Sequence, residues 1–387
     1  MPPIGRWSLR AIGPYSARSS HCVVATNSGQ VVVYGGELKP RVPVDSAISQ
    51  GENEAARGSM HVVDLGSRSE LGRIVDRLKT WSTLSPSRLG DTNAANKDLD
   101  APNPRVGPSM VLKDNAVYIW GGRGGVDMAP LDNEQAGVWK GQLVTGQERV
   151  DWEHLPAEGG PEPRSYHTTA ILDDTMYIHA GCPTTGRLSS LHSFDITQQK
   201  WKTLASAPEP PRGGTSLVAN TIEPFGPVLI RYGGFSGYEL PKEAGILDVY
   251  VVKDDKWLTV TPAADPEHGV PGPRSVHGFQ PFQSSSSSLS HALAVLFYGE
   301  RDASSLGHAG AGTFWNDAWL LSKDKPSSET DGWQWTKIIT DESKVPEGRG
   351  WLASAAWVEH GTSRIVMHGG LLSSNKRSDE LWELQIE

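Results

Sequence analysis

The chain has 387 residues, in which 36 Lys and Arg face 45 Asp and Glu for a formal net charge of −9. No basic block interrupts this acidic balance, so the counterion release that drives nucleic-acid binding has little to act on, and nucleic acid is excluded as the main partner. The 2 cysteines, the start MPPIGRWSLR without a signal-length apolar core, and the lack of an ~18-residue apolar run point away from a disulfide framework and a membrane span. They point instead to a reducing, cytoplasmic setting.

The 42 glycines and 27 prolines suit short strands joined by tight turns, and they recur in order. VVVYGG ends at Gly36 after the box Arg18-Ser-Ser-His21, and VYIWGG ends at Gly122 after Arg105. MYIHAG ends at Gly181 after Arg164-Ser-Tyr-His167, and VLIRYGG ends at Gly234 after Arg212-Gly-Gly. AVLFYG ends at Gly299 after Arg274-Ser-Val-His277, and RIVMHGG ends at Gly370 after Arg349-Gly-Trp351. A glycine at such a strand end permits a close backbone approach that a Cβ would block.

The third copy is the clearest. It predicts strands over Thr168–Leu172, Met176–His179 and Leu191–Asp195 and a fourth opening at Trp201, a four-stranded antiparallel meander. Such a sheet cannot bury both faces alone, so the copies must pack on one another. Five units close on a tryptophan strand, at Trp81, Trp152, Trp201, Trp257 and Trp335, and the sixth lacks one. A strand around residues 6–10, with Trp7–Leu9 at its centre, supplies the missing piece and removes the free edge. The expected fold is therefore all-β, a six-bladed kelch β-propeller over residues 1–387 as a single domain, closed by its N-terminal strand.

Irregularities mark where a site can be built, because the loops at one end of a propeller surround its channel. Blade one carries an insertion over 37–60, and blade two carries GRGGVDMAPLDNEQAG after Trp120. Ser69–Lys79 has helical apolar spacing and reads as decoration of a loop, 88–105 reads as an exposed linker, and Ser284–Ser288 as a hairpin tip. After the fifth marker comes GERDASSLGHAGAG, which presents Glu300, Asp302 and His308 among Gly307, Gly310 and Gly312. Carboxylates and an imidazole on one tight loop suit a hard metal such as Fe(II), Mn(II) or Mg(II); the other reading is a charged surface loop in which Asp302 caps a turn. The Ser–His pairs of the arginine boxes recur in three blades, which assigns them to packing and inter-blade hydrogen bonding rather than to a nucleophilic site.

These motifs resemble the plant specifier proteins, the kelch proteins of glucosinolate breakdown that form nitriles, epithionitriles or thiocyanates. The shared stretches span the chain: Tyr34-Gly-Gly-Glu37-Leu38, Ile119-Trp-Gly-Gly-Arg123, Arg212-Gly-Gly214, Gly299-Glu300 with Gly307-His308, Arg349-Gly-Trp351 and Met367-His-Gly-Gly370 continuing to Asn375-Lys-Arg-Ser-Asp379. The resemblance implies a ferrous ion held by a Glu-x3-Asp-x3-His pattern, which Glu300 and His308 match while Ser304 stands at the middle position. Either Asp302 substitutes from a shifted backbone, or two protein ligands lean on substrate, or iron is not used. It further implies a sulfate-binding role for Arg123, whose other reading is an ion pair with Glu37, and an aromatic pocket wall at Trp351. The implied activity is a lyase-like, iron-dependent specifier reaction on a small sulfur- or oxime-containing metabolite, steering it to a nitrile-type product, with Glu37, Arg123 and Trp351 contacting substrate. The alternative is a kelch interaction module that binds a protein partner through its loops without catalysis.

Overall fold

The computed structural model describes the chain apart from residues 1, 14–16, 45–56, 67–77, 89–100, 133–136, 145, 156–157, 224, 325–327 and 329. Most of the helix expected over Ser69–Lys79, much of the insertion over 37–60 and most of the linker over 88–105 lie outside the described residues. Where that linker is described it is not exposed: Ala101 and Arg105 are buried.

Six antiparallel sheets follow in chain order. Blade 3 shows the unit plainly, with strands Thr168–Leu172, Thr175–His179, Leu191–Asp195 and Lys200–Leu204 paired in sequence order. Blades 4 and 5 repeat it over Ser216–Val260 and Gly278–Lys337. In blade 6 the strands Ala353–Glu359, Thr362–His368 and Leu381–Ile386 take Ile4–Ala11 as their outer neighbour, with Trp7 opposite Leu384. Trp7 is buried against Phe297 and Tyr298, with ring centroids 5.9 and 5.5 Å away. The six-bladed propeller closed by its N-terminal strand is thus the observed fold.

One feature departs from a chain of separate meanders. The outer strand of blade 1, Ser82–Arg88, pairs with blade 1 through Ser82–Leu84 and then runs parallel to blade 2, with Ser85–Arg88 beside Arg149–Trp152. Ser87 bonds Asp151 there, and Arg149 pairs with the same carboxylate. Parallel backbone contacts also stitch the perimeter where Ala263 meets Gln334, Ile4–Gly5 meets Ile339–Thr340, and Ala11 meets Lys79. No membrane-crossing helix is present among the described residues.

The arginine boxes and glycine pairs lock blade to blade. Each box arginine is 0–5% exposed. Its Nη1 donates to the carbonyl just before the strand-end glycine of its own blade, at 2.9–3.3 Å. Its own carbonyl accepts from the strand-end glycine N–H of the preceding blade, at 2.9–3.0 Å, and the six such bonds close a circle. Those six glycines have φ of 91–108°, and at Gly36 a Cβ would lie 2.6 Å from His21 Cβ, so only glycine fits. One step inward, the residues two after each arginine, Ser20, Gly107, Tyr166, Gly214, Val276 and Trp351, form a second circle, each N–H donating to the carbonyl of the one before at 2.8–2.9 Å.

The histidines of the boxes serve the seams. His21, His167 and His277 press on Gly369, Gly121 and Gly233 of the preceding blade, where a Cβ would come within 2.6–2.7 Å of the ring. Where the preceding blade carries Ala180 or Tyr298 in place of that glycine, the box has Thr215 or Leu352 instead of histidine. The packing role read from the repeat is borne out, since His167 Nε2 meets Ser109 Oγ at 2.6 Å and His21 Nε2 meets His368 Nδ1 at 2.9 Å, both across seams.

Two measurements test this frame. Removal of residues 1–10 uncovers Leu384 and Ile386, and should lower the melting temperature by roughly 5 °C or more; an unchanged value would contradict closure by that strand. Burial, aided by neighbouring arginines, holds His21, His179, His277 and His368 well below the usual histidine range and His61 and His167 at about 3. The unfolded chain takes up those protons below pH ~6.5 and the folded chain does not, so stability is lost as pH falls, by about 1.4 kcal/mol per histidine per unit. Glu239 and Glu300, pushed up by burial to about 8 and about 7, run the opposite way but are outnumbered. Thermal melts should therefore show a lower midpoint at pH 5 than at pH 7.5, and a flat profile would overturn this account.

Candidate functional site

The residue after each strand-end glycine has one place to go. Glu37, Arg123, Cys182, Phe235, Glu300 and Leu371 each pair backbone to backbone with the residue following a box arginine, namely Ser19, Val106, Ser165, Gly213, Ser275 and Gly350. That short antiparallel contact turns all six side chains toward the axis at one end of the ring, where they wall a cavity of about 420 Å³. Its floor is the inner hydrogen-bonded circle, represented by Tyr166, Gly214, Val276 and Trp351, and beyond that floor lies a smaller cavity of about 190 Å³. Loops add Arg187, Ser304, His308 and Arg377 to the wall.

Of the expected substrate contacts, Arg123, Trp351 and Glu37 all reach this cavity. Arg123 donates from Nε to Ser165 Oγ at 2.7 Å, and its guanidinium carbon lies 5.6 Å from the centre of the Tyr166 ring. It does not pair with Glu37. Arg377 takes that carboxylate at 2.9 Å, while the Arg41 N–H donates to its second oxygen at 2.7 Å. Arg187 lies over Phe235 at 4.9 Å. Neither Arg123 nor Arg187 has a carboxylate partner among the described residues, so two cationic groups face the cavity uncompensated.

Trp351 and Tyr166 meet edge to face at 5.3 Å, and His308 lies parallel to Tyr166 at 6.5 Å. Burial holds the His308 imidazole below its usual range, and so neutral near pH 7. Glu300 is 6% exposed; burial raises its carboxyl to about 7, the nearby Asp302 charge adds to this, and a hydrogen bond from Trp351 opposes it.

The expected metal ligands are not brought together as a set. Glu300 and His308 line the cavity, but Asp302 is turned outward, its side chain 66% exposed. Its carboxylate accepts from Arg301 at 2.9 Å and from Thr313 at 2.6 Å, which keeps it below the usual carboxylate range. The cause is a bulge in the two-stranded ribbon: Glu300 faces Phe314 while Asp302 faces the adjacent Thr313, so residues two apart no longer share a face. Ser304 stands on the cavity wall instead, its Oγ accepting from the Leu306 N–H at 3.1 Å. Among the described residues no group of three or more His, Cys, Asp or Glu is arranged to hold a metal. Two protein donors and a neutral hydroxyl do not fit a three-ligand ferrous site.

Sequence reasoning missed Tyr166, Cys182, Arg187, Phe235, Leu371 and Arg377. Four of these had a usable signal: Cys182, Phe235 and Leu371 occupy the post-glycine position already noted at Arg123 and Glu300, and Tyr166 occupies the box position of Trp351. Arg187 and Arg377 lie in loops without a periodic mark.

The comparisons with known proteins agree with the kelch propeller fold. A family model for the KLHDC2/KLHL20/DRC7 kelch-repeats domain matches residues 91–285, half of the chain. The chain is 24% identical over 379 residues to N-(sulfonatooxy)prop-2-enimidothioate sulfolyase of Thlaspi arvense, covering 94% of this chain and 91% of that protein. It is 25% identical over 190 residues to Kelch domain-containing protein 3 of Bos taurus, covering 47% of this chain and 46% of that one. Among solved structures, YjhT superposes with a TM-score of 0.60 at 14% identity over 98% of this chain and all of that one, a likeness of fold.

An anaerobic ferrous titration checks the outward placement of Asp302. Ser304→Asp puts a carboxylate on the cavity wall beside Glu300 and His308 and should tighten iron binding at least roughly tenfold over the wild type. Equal affinity of the two proteins would mean that Asp302 can swing inward.

Proposed function

The chain belongs to the KLHDC2/KLHL20/DRC7 kelch-repeats family, and from that premise we propose that its axial cavity binds a small sulfonated thiohydroximate or oxime and promotes release of sulfate. The observation that carries this reading is the pair Arg123 and Arg187, two half-buried guanidiniums on the cavity wall without carboxylate partners among the described residues. A planar guanidinium binds an oxyanion through parallel N–H donors, and it stabilises the charge that gathers on sulfate as the N–O bond breaks with its electron pair leaving on oxygen. In a thiohydroximate the C–S bonding pair then closes the third C–N bond of the nitrile and the sulfur departs at the zero oxidation level; in an aldoxime the C–H pair does so as its proton goes to water. Similarity along nearly the whole length of the Thlaspi arvense sulfolyase supports the same substrate class. Trp351, Tyr166 and Phe235 form the apolar surface against which the rest of such a molecule would lie. No step is assigned to iron, because the donor set does not suit it.

A second reading has its own observation. Leu38, Val42, Val126, Tyr238 and Leu306 are exposed large hydrophobics on the loops that follow the strand-end glycines, with Val126 98% and Leu306 72% exposed. Loops of this kind suit a protein partner.

The two readings separate in one set of assays with an alkyl thiohydroximate O-sulfate, following inorganic sulfate and nitrile as products. Arg123→Ala should weaken binding of the sulfated compound roughly tenfold or more, the cost of a charge-assisted hydrogen-bonded contact. Val126→Asp with Leu306→Asp should leave that binding in place. Unchanged affinity in Arg123→Ala would remove the arginine from the site and favour the protein-partner reading.

A further inference from the structure

We infer that the axial cavity is built for a zwitterion: a small ligand with an oxyanion at one end and an organic cation, such as a protonated amine, at the other. This rests on the arginine wall of the proposed function and extends it across the axis.

The cavity is divided by charge. Blades 2 and 3 supply Arg123 and Arg187. Blade 5, opposite blade 2 in a ring of six, supplies Glu300 to the wall, while Glu239, on the neighbouring loop of blade 4, lies behind it and off the wall. Glu37 does not enter this division, because Arg377 already neutralises it at 2.9 Å. On the acidic side nothing plays that part. Glu300 has a hydrogen bond from Trp351, and no cation is close enough to influence it. Both carboxylate oxygens of Glu239 are buried outside hydrogen-bond geometry, with the Ser275 hydroxyl only lessening the cost of burial. Asp302, the other charge that acts on the pair, is of the same sign.

Charges that face a cavity without partners are costly. The guanidiniums of Arg123 and Arg187 are half-buried on one side, and the Glu300 carboxyl, 6% exposed, stands on the other. The two sides do not cancel each other directly, for no ion pair joins them among the described residues. An anion alone would satisfy Arg123 and Arg187 and leave the Glu300 carboxyl without a cation. A zwitterion satisfies both walls at once, and its cationic end would pass over the faces of Trp351 and Tyr166, where an aromatic ring attracts a cation.

The test is calorimetry at pH 7.5 and low salt with ω-aminoalkanesulfonates of two, three and four carbons, each set against the alkanesulfonate of the same length. At least one aminosulfonate should bind roughly tenfold tighter than its amine-free counterpart. Glu300→Gln, which keeps side-chain shape, should shrink that ratio, with an unchanged melting curve showing that the ring is intact. If alkanesulfonates bind as tightly as aminosulfonates at every length, the zwitterion is wrong while the sulfate reading stands. If the ratio survives that substitution, the acidic wall is not what holds the cation and the zwitterion reading falls. If neither series binds, the arginine wall fails, and both proposals fall with it.

Discussion

The inner circle of six backbone hydrogen bonds is the constraint on which the rest of this molecule depends. Each N–H reaches the carbonyl of the previous blade at 2.8–2.9 Å, and to do so each residue adopts a left-handed backbone with φ between 47° and 62°. Glycine accepts this at positions 107 and 214, but Ser20, Tyr166, Val276 and Trp351 do not have that freedom. For β-branched Val276 the strain is of order 1–3 kcal/mol. It persists because the arginine and glycine contacts on either side fix the backbone of every blade. What the strained positions gain is placement: the rings of Tyr166 and Trp351 lie on the floor of the cavity, where a relaxed backbone would not direct them.

The arginine boxes make that circle rigid. A buried guanidinium needs acceptors on all sides, and the peptide carbonyls at the strand end of its own blade supply them. Arg274 and Arg349 add carboxylates, Asp317 and Glu380, at 2.7 and 2.8 Å. The result is a scaffold whose chemistry resides in the six positions just beyond it. Their main chain is set by neighbours, so glutamate, arginine, cysteine, phenylalanine or leucine can stand there without disturbing the ladder behind.

Much of this was legible in the sequence because it is local and repeated. A glycine with φ near 100° and an arginine that reaches a carbonyl leave the same mark in every blade, so blade number, order and closure by Trp7 could be read off. The site was legible only where a residue stood next to such a mark, as Arg123, Glu300 and Trp351 do. Asp302 was misplaced because a single bulge reverses its side, and a bulge has no signature in GERDASS. The ion pair of Glu37 with Arg377 joins residues 340 positions apart, and nothing in either neighbourhood announces it. The strand shared by blades 1 and 2 is equally silent, since Ser82–Arg88 changes partner midway without a change of composition.

That shared strand is one link of a belt. Backbone contacts at the perimeter bind blade 1 to 2, 4 to 5, 5 to 6 and 6 to 1, whereas among the described residues the two seams of blade 3 show no such contact. At the seam with blade 4 the join is made by side chains, with Trp257 Nε1 donating to the Ala205 carbonyl at 2.9 Å and the Ala205 N–H donating to Asp255 at 2.8 Å. Blade 3 is therefore held to its neighbours by the two inner backbone circles and by side chains, without a main-chain tie at its rim among the described residues, and it is the blade that carries Tyr166, Cys182 and Arg187. Of the two cavity guanidiniums, Arg187 thus hangs on the sector with the fewest main-chain ties at the rim, while Arg123 sits on blade 2, whose edge is pinned to blade 1 by their shared strand.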